Sequence, residues 1–380
     1  MMMDILSVSN FSAVCLLLVA GILMAYKFMA LKKQPKVRAM KTTKSLKDDK
    51  VSVEDPRSVF SDIVPINDFN WRETKPQQLR PSKQIYHMTM AIENIPLSDL
   101  IAMDNTYLER LNLRRKLIKE QGRNVVAAND CIAPAVNEHY TWLTSTYLPQ
   151  RFPSMFKISE DKEVLHNLTT HEDIPLQPPS DIEESLRILS SNVDTEFYFL
   201  RHAPERDNKY VLEAYSSCSP SFDQPSKLNR KLADIHNPNV PGYAAKLELS
   251  MDRFFAKMPV GRVVKRHNWS INTTGTFFNM DTMHMYEGQR TEKLKKDEFD
   301  PDRFKMRCER QTLHRLLENQ DVIVFSFKTY QYPLRQLKEE GAGEDLASAI
   351  EGLSKGNVPQ MAWYKRAVIW EDVVKEYLRS

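Results

Sequence analysis

The chain has 380 residues, of which 42% are hydrophobic, enough to bury a sizeable core in one large domain or two average ones. Its formal net charge of +3 is too small to point to nucleic acid, and its four cysteines, Cys15, Cys131, Cys218 and Cys308, have no C-x-x-C spacing, so neither a zinc site nor a disulfide framework is indicated. Ten glycines against 21 prolines, with no G-x-G-x-x-G or G-x-x-x-x-G-K-[ST] pattern, argue against a glycine-cradled dinucleotide or ATP site.

After a short segment, 1–10, the run from Phe11 to Leu31 is apolar apart from Lys27. A helix of about 20 apolar residues crosses a bilayer, so one transmembrane anchor over 11–31 is expected. The preceding residues carry Asp4 and no lysine or arginine, a poor start for a cleaved signal peptide. Lys32, Lys33, Lys36, Arg38, Lys41 and Lys44 follow, and the positive-inside rule then leaves the large C-terminal part cytosolic, with the endoplasmic reticulum as the first membrane to consider. Residues 32–62 read as a basic flexible linker, which also touches anionic lipid, and 63–380 as one folded domain.

Within that domain, Leu97 to Gln121 predicts a helix, with Leu100, Ile101, Leu108, Leu111 and Leu117 on one broad face and Gly122 as a stop. A second helix is predicted over Ala245 to Met258. Strands are predicted at Glu196 to Arg201, Lys209 to Ala214, Arg262 to Asn272 and Asp321 to Tyr330. The last alternates Ile323, Phe325 and Phe327 against Val322, Val324, Ser326 and Lys328. Residues 160–181 and 281–303 read as surface loops. Helices flanking runs of strand give an α+β class.

Several blocks occur in a recognisable order: Asp68-Phe69-Asn70-Trp71, Tyr86-His87-Met88-Thr89-Met90, Met103 to Arg110, Ile235 to Tyr243, Leu247 to Phe255 and Arg266-His267-Asn268-Trp269. They end in Arg307, Glu309, Arg310, Gln311, Thr312, Leu313, Arg315 and Leu316, directly before the 321–330 strand. From about Ile66 to Trp370 the chain resembles the family of the haem-binding alpha subunit of haem-dependent oxidative N-demethylase, which has many filamentous-fungal members. The resemblance implies a PAS-like antiparallel sheet with flanking helices, haem b, oxygen chemistry on a small organic substrate, and electrons from a separate reductase. Three positions depart from the usual pattern: Ala91 replaces a glycine, Leu317 a proline and Lys328 an arginine.

The resemblance makes His236 the candidate axial ligand to haem iron, held between Ile235 and the Pro238/Pro241 turn, with His87 and His202 as alternatives. Read as a helix, Arg307 to Glu318 places Arg307, Arg310 and His314 on one face, where they hold haem propionates or polarise oxygen. A buried Glu309–Arg310 ion pair is the structural alternative for that stretch. Trp269 is expected in the core. The absence of G-x-S-x-G, H-E-x-x-H or kinase motifs leaves hydrolase and phosphotransferase readings without support. A haem or small-ligand sensor or scaffold without turnover is the alternative function, since a fold does not establish a reaction.

Overall fold

The computed structural model describes residues 55–380 except 82, 287 and 291. The expected membrane span at 11–31 and the linker up to residue 54 lie outside the described residues, and no described helix is long and apolar enough to cross a membrane.

The architecture is a mixed α+β one, built on a seven-stranded antiparallel sheet. The strands are β1 (Glu93–Ile95), β2 (Val126–Ala128), β6 (Glu196–Ala203), β7 (Lys209–Ser216), β8 (Val263–Asn272), β9 (Lys305–Arg315) and β10 (Val322–Pro333). Their order is β1-β8-β9-β10-β6-β7-β2. A separate three-stranded sheet holds β3 (Phe156–Ile158), β4 (Val164–Asn167) and β5 (Glu172–Pro175). All four predicted strands are present, with ends displaced by up to three residues.

The helices divide between the two faces of the large sheet. Phe60 of α1 (Pro56–Ser61), with α2 (Tyr107–Gln121), α3 (Ala133–Trp142) and α4 (Ile182–Asn192), shares one core with Phe197, Phe199, Val263, Val322 and Val324. On the opposite face, α5 (Leu232–His236), α6 (Tyr243–Lys246) and α7 (Glu248–Lys257) cover Tyr198, Leu200, Leu212, Val264, Leu313, Ile323 and Phe327. The C-terminal helices α8 (Leu334–Glu339), α9 (Gly343–Glu351), α10 (Met361–Tyr364) and α11 (Ala367–Arg379) pack on Met306, Cys308, Tyr330 and Tyr332. The alternation read in 321–330 therefore holds: odd residues of β10 face one core and even residues the other.

Three expectations are corrected. Residues 307–318 do not form a helix, because β9 is hydrogen-bonded along its length to β8 on one edge and β10 on the other. The helix expected from Leu97 starts only at Tyr107. Leu97–Asp99 makes a single 3-10 turn, and the carbonyls of Asp99 and Leu100 accept from the Arg310 guanidinium rather than from helical N–H groups. Residues 160–181 contain β4 and β5, in which Leu165 and Ile174 are buried.

Two of the departures from the family pattern acquire a physical meaning. Ala91 has φ +48°, the left-handed region in which a glycine carries no Cβ penalty. The Leu317 N–H donates to Glu138 Oε1 at 2.8 Å, a bond that proline lacks. Glu318 and Asn319 also donate backbone N–H groups to that carboxylate, at 2.9 and 2.8 Å, so α3 is tied to the β9–β10 turn.

In the α2–α4 core, His139 and His314 are 0% and 1% exposed, with ring centroids 5.5 Å apart among Phe60, Trp142, Phe197 and Phe199. None of their four ring nitrogens has a hydrogen-bond partner among the described residues. Burial pushes both below the ordinary value of 6.5, His314 to about 3, and the neighbouring His314 lowers His139 further. The unfolded chain therefore binds protons that the folded chain refuses.

Two outcomes follow. Ala91→Gly raises unfolding free energy by about 0.5–1 kcal/mol in urea titrations, because it removes the left-handed strain. The stability contribution of the two histidines is complete above about pH 6.5 and falls away as pH drops below it; for His314 the loss runs towards pH 3 and reaches about 2 kcal/mol by pH 5. His314→Phe should flatten the loss of stability between pH 7 and pH 5 in the same titrations; an unchanged slope would show that other groups cause it.

Candidate functional site

Between the odd face of β9 and β10 and the α5–α7 crossover lies a cavity of about 290 Å³. Strand alternation sets its floor. Val264, Arg266 and Asn268 of β8 pair with Leu313, Gln311 and Glu309 of β9, and all six reach the cavity or the core beside it. Its roof is apolar, with Leu232, Ile235, Val240, Leu247, Met251 and Phe255 from the crossover. Tyr86 to Met90 forms one wall, laid across the turn after α9. There Tyr86 N–H donates to the Gly352 carbonyl at 3.1 Å, and Met88 N–H to Asn357 Oδ1 at 2.8 Å. A Cβ on Gly356 would lie 1.5 Å from the Tyr86 carbonyl oxygen, so only glycine allows this approach.

Two imidazoles line the cavity with the same local design. His236 Nδ1 is 2.7 Å from the Leu232 carbonyl and its ring stacks on Tyr243 at 4.6 Å. His284 Nδ1 is 2.9 Å from the Ser221 carbonyl and its ring stacks on Tyr364 at 4.4 Å. A carbonyl only accepts, so Nδ1 carries the proton in both and Nε2 keeps a lone pair. Burial holds both below the ordinary histidine range, His284 at about 4, with nearby Lys365 as a further cause for His284. Both rings are therefore neutral at physiological pH.

The far end of the cavity is polar. The Glu309 carboxylate is gripped by Arg307 at 3.1 Å and by Gln311 Nε2 at 2.8 Å. Burial opposes its charge, but Arg307, Gln311 and His284 hold its pKa below the usual carboxylate value. Lys365 donates to Asn268 Oδ1 at 3.1 Å and to the Trp269 carbonyl. Arg266 forms no ion pair or hydrogen bond among the described residues, and its buried Nε has no partner. Burial lowers its pKa, offset by Tyr86 and Glu309.

The residues singled out from sequence are dispersed by this geometry. His236 is on the cavity. His87 is exposed although Tyr86, Met88, Thr89 and Met90 line the wall, and His202 lies on β6 beside Tyr210, outside the lining. Arg307, on the odd face of β9, donates to the Ser219 carbonyl and to Thr329 Oγ1 at 2.5 and 3.2 Å. Arg310 and His314 are even-numbered and face the α2–α4 side, so the single Arg307/Arg310/His314 face does not exist. Glu309 pairs with Arg307 rather than Arg310. Trp269 packs against the C-terminal core. His284 and Lys365 went unnoticed in the sequence. The available signal was Met283-His284-Met285, whose buried methionines flank the imidazole within a stretch read as surface loop.

A family model described as haem-dependent oxidative N-demethylase, alpha subunit-like matches residues 91–375. The chain belongs to that family. The match spans every strand of the large sheet and every cavity residue from Ile92 to Lys365. A search of curated proteins finds no match. Membership of the N-demethylase alpha-subunit-like family gives a haem-dependent oxidative class of chemistry, and the cavity's donors suit a haem. A neutral histidine offers a free Nε2, the apolar roof suits a porphyrin plane, and unpaired Arg266 suits an anionic carboxylate.

An arginine without a partner contributes nothing to folding through an ion pair. Arg266→Met in the haem-free protein should leave unfolding free energy within about 1 kcal/mol of the parent, or raise it. A loss of several kcal/mol in denaturant titration would show that Arg266 has a structural partner in the folded chain.

Proposed function

We propose that this chain is a haem-dependent oxidoreductase that activates oxygen on a small organic substrate, with the β8–β10 cavity as the place for haem b and His236 as the residue that would hold its iron. The observation that carries the assignment is the His236 Nδ1 contact with the Leu232 carbonyl, which fixes the tautomer and leaves Nε2 free beside the apolar roof. His284 has the same tautomer, but it stands at the polar end near Glu309 and Lys365, where a porphyrin plane finds less apolar surface.

Bound haem supplies the redox centre for oxygen chemistry. The chain's own residues bind, orient and exclude water. Arg266 on the floor and Lys227 beside the crossover, both lining the cavity, would neutralise propionate charge. The lone pair on His284 Nε2 and the carboxylate of Glu309 accept hydrogen bonds from a polar substrate and orient it against the apolar roof.

The central strands run in the order β7-β6-β10-β9-β8, with the helical crossover between β7 and β8 laid over the cavity face. That arrangement supports a PAS-like reading of the sheet. The lack of a flavin or iron-sulfur motif supports a separate reductase as electron donor. The apolar run at 11–31 and the lysines after it support a single-pass tether with a cytosolic domain, with the endoplasmic reticulum as the proposed membrane.

Expressed with haem supply, the full chain should show a Soret band that His236→Ala abolishes or shifts, while His87→Ala and His202→Ala leave it unchanged. A band unaffected by His236→Ala would remove His236 as ligand. No band in the parent protein would remove the oxidoreductase reading and leave a binding or scaffold role.

A further inference from the structure

Among the described residues two lysines, Lys328 and Lys365, are buried, and they differ in what holds them. Lys328 Nζ lies 2.7 Å from Asp104 and 3.4 Å from Asp194, so its charge is neutralised and its role is structural. Lys365 has no carboxylate at ion-pair distance among the described residues; Glu309, at the same polar end, is already held by Arg307 and Gln311. Its Nζ instead donates to two neutral acceptors, Asn268 Oδ1 and the Trp269 carbonyl, between the faces of Tyr86 and Trp269 at 5.4 Å each.

That environment leaves an ammonium without a balancing carboxylate and so eases loss of its proton. An ammonium has three N–H groups to place, whereas a neutral amine has two and a lone pair. Two N–H groups go to the carbonyl oxygens of Asn268 and Trp269, and once a third proton is lost the lone pair is free to meet a molecule in the cavity that Lys365 lines. Burial pushes its pKa down to about 8. Among the groups around it, Glu309 opposes that shift while Arg266 reinforces it, and buried Cys308 raises it slightly.

We infer that Lys365 is a carbonyl-reactive amine and that the cavity accepts small aldehydes or ketones as covalent imines. The N–C bond forms as the carbonyl π bond opens, and loss of the oxygen with the two amine hydrogens as water leaves the C=N bond. The step is not a redox one and needs no co-reactant. It does not depend on haem, so it stands or falls apart from the function proposed above.

The test is reductive trapping. The full chain is treated briefly with acetaldehyde and sodium cyanoborohydride at pH 7, digested, and ethylation at each lysine is timed by mass spectrometry. A fall in pKa from 10.5 to about 8 raises the neutral fraction by a factor of about 300, so Lys365 should label at least ~10-fold faster than Lys116, whose side chain is 66% exposed. Its labelling rate should rise with pH to a midpoint of about 8. Asn268→Asp places a carboxylate on Nζ and should move that midpoint up by about one unit or more. Labelling of Lys365 no faster than Lys116 overturns the inference, and that comparison needs only the parent protein. An unmoved midpoint in Asn268→Asp overturns the proposed arrangement of the amine.

Discussion

The two-residue period of the β9–β10 hairpin organises the rest of the molecule. The strands pair from Ile323↔Arg315 to Pro333↔Lys305, so odd residues on both share one face and even residues the other. The odd face contributes Glu309, Gln311, Leu313 and Phe325 to the cavity, while the even face supplies Met306, Cys308, Val322 and Val324 to two separate cores. A slip of one residue would exchange these sets and send Arg310 and His314 into the cavity. Burial of both faces makes such a slip expensive, and the register of the cavity's floor is thereby fixed by packing remote from it.

Around α2, charge is buried instead of excluded. Arg110 meets Asp194 at 3.1 Å, Arg114 meets Glu196 at 2.6 Å, and Lys328 reaches both Asp104 and Asp194. Each charge is desolvated, so a missing partner would leave an uncompensated ion, which typically costs about 3–5 kcal/mol. The network therefore specifies how α2 docks on β6 and β10 more than it adds net stability. Lysine at 328 in place of the family's arginine keeps two carboxylate contacts because its ammonium is a compact point charge that needs no fork geometry.

On the odd side the polar groups are arranged for an occupant. His236 and His284 each spend one nitrogen on a backbone carbonyl and one ring face on a tyrosine, which fixes orientation and protonation before anything binds. Arg266 remains without a hydrogen-bond or ion-pair partner among the described residues, and Lys365 donates to two neutral acceptors with no carboxylate at ion-pair distance. Such preorganisation is unfavourable for folding and favourable for binding, the usual balance at a functional site.

Local periodicity made much of the fold legible. The strands at 196–203, 209–216, 263–272 and 322–333 announced themselves by β-branched and aromatic alternation, and the ordered blocks from Arg266 to Leu316 identified the family. The 307–315 stretch misled because its arginines, glutamate and glutamine have good helix propensity, and only pairing on both edges makes it a strand. The inward-facing Arg110 and Arg114 were equally opaque, since charged residues read as solvent-facing until their partners at 194 and 196 are brought beside them. The sequence by itself determined four strands of the large sheet, the two-sidedness of the last of them and His236 as a candidate. Tertiary structure alone decided that His284 and Lys365 join His236 in one cavity while Arg310 and His314 leave it. Those groupings depend on strand register and on which carbonyls and carboxylates lie nearby, distances between residues remote in the chain that no local pattern encodes.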